Sequence, residues 1–101
     1  MRAKEIMNKT LIVKVDSQGD VSYVPSRKVE GGQTAKCVIR LSELGGKYVN
    51  SYVCSMFGNL ALCKFLEGDV VAASLRFQSR EVNGQYFQDV TIMDIVKLNG
   101  K

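Results

Sequence analysis

The sequence predicts an all-β fold, a small five-stranded Greek-key barrel with one short helix between its third and fourth strands. Three observations carry this expectation. Stretches in which apolar and polar residues alternate recur along the 101 residues, which is the period of half-buried strands. An Asn83-Gly84 pair separates two of them, and this is the strongest short-range hairpin signal, because both central residues of a type I′ turn need positive φ. A single passage between the third and fourth stretches, "GNLALCKFLEG", has helical spacing instead.

The first strand is the β-branched run Thr10–Val15, ended by the turn chemistry of "DSQGD". "VSYVPSRKVEGGQ" carries the only proline, a basic pair and a double glycine, so it reads as a short extended piece followed by a long, mobile connection. In Thr34–Glu43, Ala35, Cys37, Ile39 and Leu41 share one face, opposite Lys36, Val38, Arg40 and Ser42. Gly45-Gly46 then turns the chain into the third strand, Lys47–Phe57. Its two faces are Tyr48, Asn50, Tyr52, Cys54, Met56 and Val49, Ser51, Val53, Ser55, Phe57. The small, β-branched set is expected inside the narrow barrel, with the tyrosines outside. In the helical passage Asn59 can cap, Leu62, Phe65 and Leu66 recur at i, i+3, i+4, and Gly68 can terminate in αL. The fourth strand is "DVVAASLRFQSR" and the last is "QYFQDVTIMDIVKL". Five strands with a helix between the third and fourth is the layout of an OB-fold. An SH3-like small barrel is the alternative, and it does not want a helix at that point.

Composition limits the function classes. A chain of this length is one domain, residues 1–101. It has no apolar run long enough to cross a bilayer and no signal-peptide core, so a cytoplasmic protein is expected. Fourteen basic against ten acidic residues leave a net charge of +4, which tilts towards polyanionic partners. Histidine is absent, and Cys37, Cys54 and Cys63 have no CxxC spacing. Zinc, haem and a disulfide framework are therefore not expected, and neither is any cofactor. The bland reading of the thiols is three reduced, half-buried side chains. No nucleophile elbow, P-loop or HExxH string occurs, and Asp20, Asp89 and Asp94 are scattered, so no enzyme is expected.

The hairpin can be worked through residue by residue. A two-residue turn at Asn83-Gly84 sets Val82 against Gln85, Arg80 against Phe87, Gln78 against Asp89, Phe77 against Val90, Arg76 against Thr91 and Leu75 against Ile92. Leu75, Phe77, Val90 and Ile92 then form a core patch. Arg76, Gln78, Arg80, Phe87, Asp89 and Thr91 form the other side. Continuing the register would bury Asp94 beside Ala73, so a bulge, or the strand leaving the barrel, is expected near there. Guanidinium groups around an aromatic ring suit single-stranded nucleic acid, because bases stack on rings and cations neutralise phosphates. The competing reading is a solvated hairpin with Phe87 packed on the stem of Arg80.

Six strings, "NKTLIVKV", "VSYVPS", "TAKCVIRLSE", "FGNLA", "LEGDVV" and "VNGQYFQDVTI", occur in that order. Together they resemble the successive landmarks of the bacterial single-stranded DNA-binding protein family, from Asn8 to about Leu98. The resemblance implies that Phe57 stacks a base, although strand parity places it inward. There are departures. The sequence has no tryptophan, and Ser51 and Arg80 stand where that family commonly stacks bases on tryptophan. Lys14 replaces the usual glycine, and the insertion around "RKVEGG" is unlike the family. With neither linker nor acidic tail after the last strand to recruit partners, the layout is similar to that of the primosomal replication protein N. Small uncharacterised bacterial OB-fold proteins share the "SREVNGQYF" look as well.

The expectation is a non-enzymatic protein that binds single-stranded DNA, with RNA as a second polymer of the same chemistry, in replication, recombination or repair. Tyr48, Tyr52, Phe57 and Phe87 are the candidate stacking residues; Lys36, Arg40, Lys47, Arg76 and Arg80 are the candidate phosphate partners. The alternative is an OB-fold adaptor that binds protein through the same face or a strand edge. A homodimer or homotetramer is expected through a free edge of the apolar first strand, as the resemblance also implies. The resemblance places such a protein in the bacterial cytoplasm, at the nucleoid and away from membranes.

Overall fold

In a computed structural model, which describes residues 6–26 and 31–98, alternation becomes six strands. They are β1 (Ile6–Gln18), β2 (Ser22–Pro25), β3 (Gln33–Glu43), β4 (Ser51–Phe57), β5 (Val70–Val82) and β6 (Gln85–Lys97). All belong to one sheet, ordered β1-β5-β6-β4-β3-β2. β1 is paired on both sides, with β5 over Ile6–Lys14 and with β3 over Val13–Gln18, so the path of pairings returns to its start. Every ladder is antiparallel except a parallel bridge from Ser55 of β4 to Thr91 of β6.

The all-β class is as expected, and the strand count is one higher. Tyr23 and its neighbours, read as a short extended piece, form β2 by pairing Ser22–Pro25 with Gln33–Lys36. Pro25 is tolerated because β2 lies at the edge of the sheet. Arg27–Glu30 of the expected mobile connection lie outside the described residues, as do positions 99–101.

The expected helix is replaced by a single 3-10 turn, Gly58–Leu62, with no side-chain cap. Tertiary hydrogen bonds take the backbone groups that a second helical turn would have used. The Gln18 amide donates to the Cys63 carbonyl at 2.7 Å, and its carbonyl oxygen accepts the Phe65 N–H at 2.8 Å. Gly68 N–H donates to Val15 O, and Val15 N–H donates to Asp69 O, both at 2.8 Å. The segment is thus tied to β1 rather than coiled on itself. Leu62 and Leu66 are left exposed, and Ala61 is the buried residue of the turn.

The hairpin has the expected register throughout, from Val82↔Gln85 to Leu75↔Ile92. Asn83 and Gly84 both have positive φ, 52° and 80°. Of the two alternatives expected near Asp94, the bulge is the one present. The register shifts between Ser74 and Leu75, so that Ala73 meets Ile95 and Asp94 is turned out beside Ser74. Residues 79–88 are all exposed, which makes this end of the hairpin a projecting arm.

The core is built from Val13, Val15, Ile39, Leu41, Met56, Val71 and Leu75, all fully buried. Met56 corrects the expected parity of the third strand. β3 and β4 pair Cys37 with Met56 and Ile39 with Cys54, and opposed residues share a side of the sheet. Cys54 and Met56 therefore face inward, while Val53 is 64% exposed and Phe57 stands outside. Burial pushes the Cys54 thiol up to about 11, so it stays protonated at neutral pH. Cys37 is also buried, whereas Cys63 is exposed.

Candidate nucleic-acid interface

The outer side of β3, β4, β5 and β6 forms one continuous surface. Pairings run across it from Val38 through Ser55 and Thr91 to Arg76, one residue from each strand. The sense of the strands follows from the parallel bridge: the start of β4 and the start of β6 point the same way. The β3–β4 loop and the tip of the hairpin therefore lie at one end of the surface, and Phe57 lies towards the other.

At the far end Phe57 is 40% exposed, and the Lys36 ammonium sits 5.8 Å from its ring centroid. Lys36 and Phe57 are brought together because they are direct partners in the β3–β4 ladder. In the middle Arg40 is paired with Val53. Its Nε lies 3.8 Å from the carboxylate of Asp16, which also accepts from the Ser42 hydroxyl. Asp16 reaches that position because the β1–β3 register slips between Val15 and Ser17.

On the hairpin arm Arg80 and Phe87 are direct partners in the β5–β6 ladder. The guanidinium carbon stands 4.8 Å from the centroid of Phe87, and Nε donates to Asp89 Oδ2 at 2.8 Å. One face of Phe87 is therefore met by Arg80, as in the solvated-hairpin reading, except that the cation and not only the stem makes the contact. Phe87 is still 41% exposed. An ion pair this exposed is worth about 0–1 kcal/mol, so an incoming phosphate can compete with Asp89 for Arg80.

Lys47 and Tyr48 are not on a strand. The expected third strand starts later, at Ser51, because Glu43 and Asn50 close the loop between them. Glu43 N–H donates to Asn50 O at 2.9 Å, and the Glu43 carboxylate accepts the Asn50 N–H at 3.2 Å. Tyr48 is 94% exposed on that loop, at the hairpin end of the surface.

Tyr52 is placed elsewhere than expected. It is half-buried on the inner side, edge-on to Phe77 at 6.1 Å between centroids, and its hydroxyl donates to Glu43 Oε2 at 3.1 Å. Desolvation, and then the bond to Glu43, raises the pKa of its phenol. Glu43 is held below the usual carboxylate range by the Asn50 N–H, then by the Asn50 side chain and the Tyr52 hydroxyl. This cluster fixes the loop and takes Tyr52 away from the outer surface.

Arg76 is on the surface in register with Thr91, but half-buried. Val38 and Val53, 44% and 64% exposed in the middle of the surface, were missed by sequence reasoning. The signal for Val53 was the alternation of the third strand, assigned to the wrong side. Among the described residues no cluster of His, Cys, Asp and Glu can hold a metal ion, and no helix is long and apolar enough to cross a membrane. No family model matches the chain, and no curated protein matches it in sequence.

Proposed function

We propose that this chain is an OB-fold protein that binds single-stranded DNA along the outer side of β3, β4 and the β5–β6 hairpin. The observation that carries the reading is the pair of exposed rings on one side of the sheet, each beside a cation: Phe57 with Lys36 and Phe87 with Arg80. Rings take bases by their π-faces and cations take the backbone, a combination that tolerates any sequence. The closed path of pairings with its single parallel bridge supports the fold reading. RNA satisfies the same contacts.

Salt dependence tests this. Three to five phosphate contacts from Lys36, Arg40, Lys47, Arg76 and Arg80 predict a slope of log K against log salt between about −2 and −3.5 for oligothymidine. Little difference is expected between oligonucleotides of different sequence. Absence of binding at low salt sinks the proposal.

The exposed Val38 and Val53 favour a second reading, a protein adaptor using the same surface. A partner held by those valines would be insensitive to salt, which separates the two readings.

Self-association follows from β1. Val13 and Lys14 are paired on both sides, so the expected free edge shrinks to residues 6–12, whose pairing is with β5 alone. Such an edge is a template for a second copy of the strand. We expect a dimer or tetramer at micromolar concentration by light scattering; a monomer would count against this assembly.

A further inference from the structure

A groove of about 410 Å³ lies where β1 meets β5, lined by Asn8, Lys9, Thr10, Ser74, Leu75, Arg76 and Met93. Its chemistry is one-sided. One cation, Arg76, and the Asn8 amide line it, together with two hydroxyls, Thr10 Oγ1 and Ser74 Oγ, that are 3.1 Å apart; Lys9, paired with the core residue Leu75, directs its side chain to the other side of the sheet. None of the lining residues is acidic. Asp94 is the nearest acid in register, opposite Ser74, and its Oδ1 accepts the Ile95 N–H at 3.0 Å.

Arg76 is the unusual member. Its Nε is shut off from solvent and meets no acceptor. Its guanidinium has no carboxylate within ion-pair distance among the described residues. Leaving a charged donor buried without an acceptor is costly, and such groups in folded proteins call for a specific explanation, an ion among them. The missing partner must bring negative oxygen. A tetrahedral oxyanion has enough acceptors for the Arg76 fork, the Asn8 amide and one of the two hydroxyls together.

The groove adjoins the candidate interface. Asn8 pairs with Arg76, and Arg76 continues the row through Thr91 and Ser55 to Val38. From Arg76 to Ser55 is two strand spacings, roughly 10 Å. We propose that this groove is an oxyanion site, filled by one backbone phosphate of the bound strand as it leaves the β3–β4 surface. The assignment to a strand rests on the function proposed above; the anion chemistry of the groove does not. Pairing of a second copy at the free edge of β1 is compatible with it, since side chains stand perpendicular to the plane in which strands add.

The test is a titration of the full chain with inorganic phosphate and, separately, with oligothymidine, followed through the Arg76 Nε–Hε resonance and the Asn8 side-chain amide. Saturable shifts of both signals in both titrations are expected. Arg76→Met should abolish the phosphate-dependent shift at Asn8 and flatten the salt slope for oligothymidine by about 0.7. Asn8→Ala, at an exposed position, is the second variant and should weaken phosphate binding several-fold with Arg76 in place. No saturable shift with inorganic phosphate overturns the groove as a site, whether or not the strand binds. Oligothymidine that binds without moving Arg76 overturns the strand as the source of the phosphate. A phosphate shift in a chain that binds no oligothymidine overturns that source too, and the proposed function with it, while the anion site stands.

Discussion

Met56→Ala is expected to lower the unfolding free energy by about 2–5 kcal/mol, the range for truncating a fully buried aliphatic side chain. Met56 is entirely inaccessible and packs in the core with Ile39, Leu41 and Leu75. For a domain of this size each kcal/mol shifts Tm by about 4–8 °C, so the change is large on any thermal melt. Val53→Ala makes the contrast. Although Val53 is three residues away on the same strand, it is 64% exposed, and its truncation should cost less than about 1 kcal/mol. Thermal or urea unfolding of the two variants checks the parity of β4 directly. A larger loss at Val53 than at Met56 would mean that β4 is turned over, with Phe57 inside.

Phe57→Ala is expected to weaken oligothymidine binding by about 1–3 kcal/mol, which is roughly 5- to 150-fold in Kd, with a loss of stability of no more than about 1 kcal/mol. The ring has no core to serve on the outer side of β4, and Lys36 beside it contributes about 0.5–1 kcal/mol as an exposed cation–π contact. Phe87→Ala should also lose affinity, towards the low end of the same range, because Arg80 already covers one face of that ring. The two rings sit on different strands and share no partner, so their losses should add. Fluorescence titration of labelled oligothymidine against both variants and the double variant measures this. If neither variant loses affinity while the protein still binds, stacking is not the mode of binding and the phosphate contacts act alone.

The legible parts of this fold were those specified by neighbours in sequence. Asn83-Gly84 needs no tertiary partner to adopt positive φ, and once that turn is placed, the alternation of β5 and β6 fixes which residues oppose which. Even the break in register near Asp94 was readable, because burying Asp94 against Ala73 would have put an unpaired charge in the core; that it takes the form of a bulge is set by the pairing of Ala73 with Ile95. The apolar face of β3, Cys37, Ile39 and Leu41, was equally clear, since the opposite face carries Lys36 and Arg40.

β4 was not legible, because apolar side chains stand on both of its faces. Cys54 and Met56 compete with Val53 and Phe57, and a one-residue change in register would exchange them. Only the pairing with β3 decides, by setting Met56 against Cys37. The turn after β4 failed for a related reason. Leu62, Phe65 and Leu66 have helical spacing, yet Gln18, more than forty residues earlier in the chain, takes the Phe65 N–H and donates to Cys63 O, so the second helical turn is never made. The candidate site divides in the same way. Which side chains carry charge or a ring is a property of the sequence. That Lys36 meets Phe57, that Tyr52 turns in to Glu43, and that Arg76 lies in a groove with Asn8 and Thr10 depend on strand pairings between distant residues. Local chemistry by itself determined the β class, the hairpin and its register. The side that each ring faces was decided by tertiary structure, because in a strand a side chain's direction follows from the partner strand and not from its own neighbours.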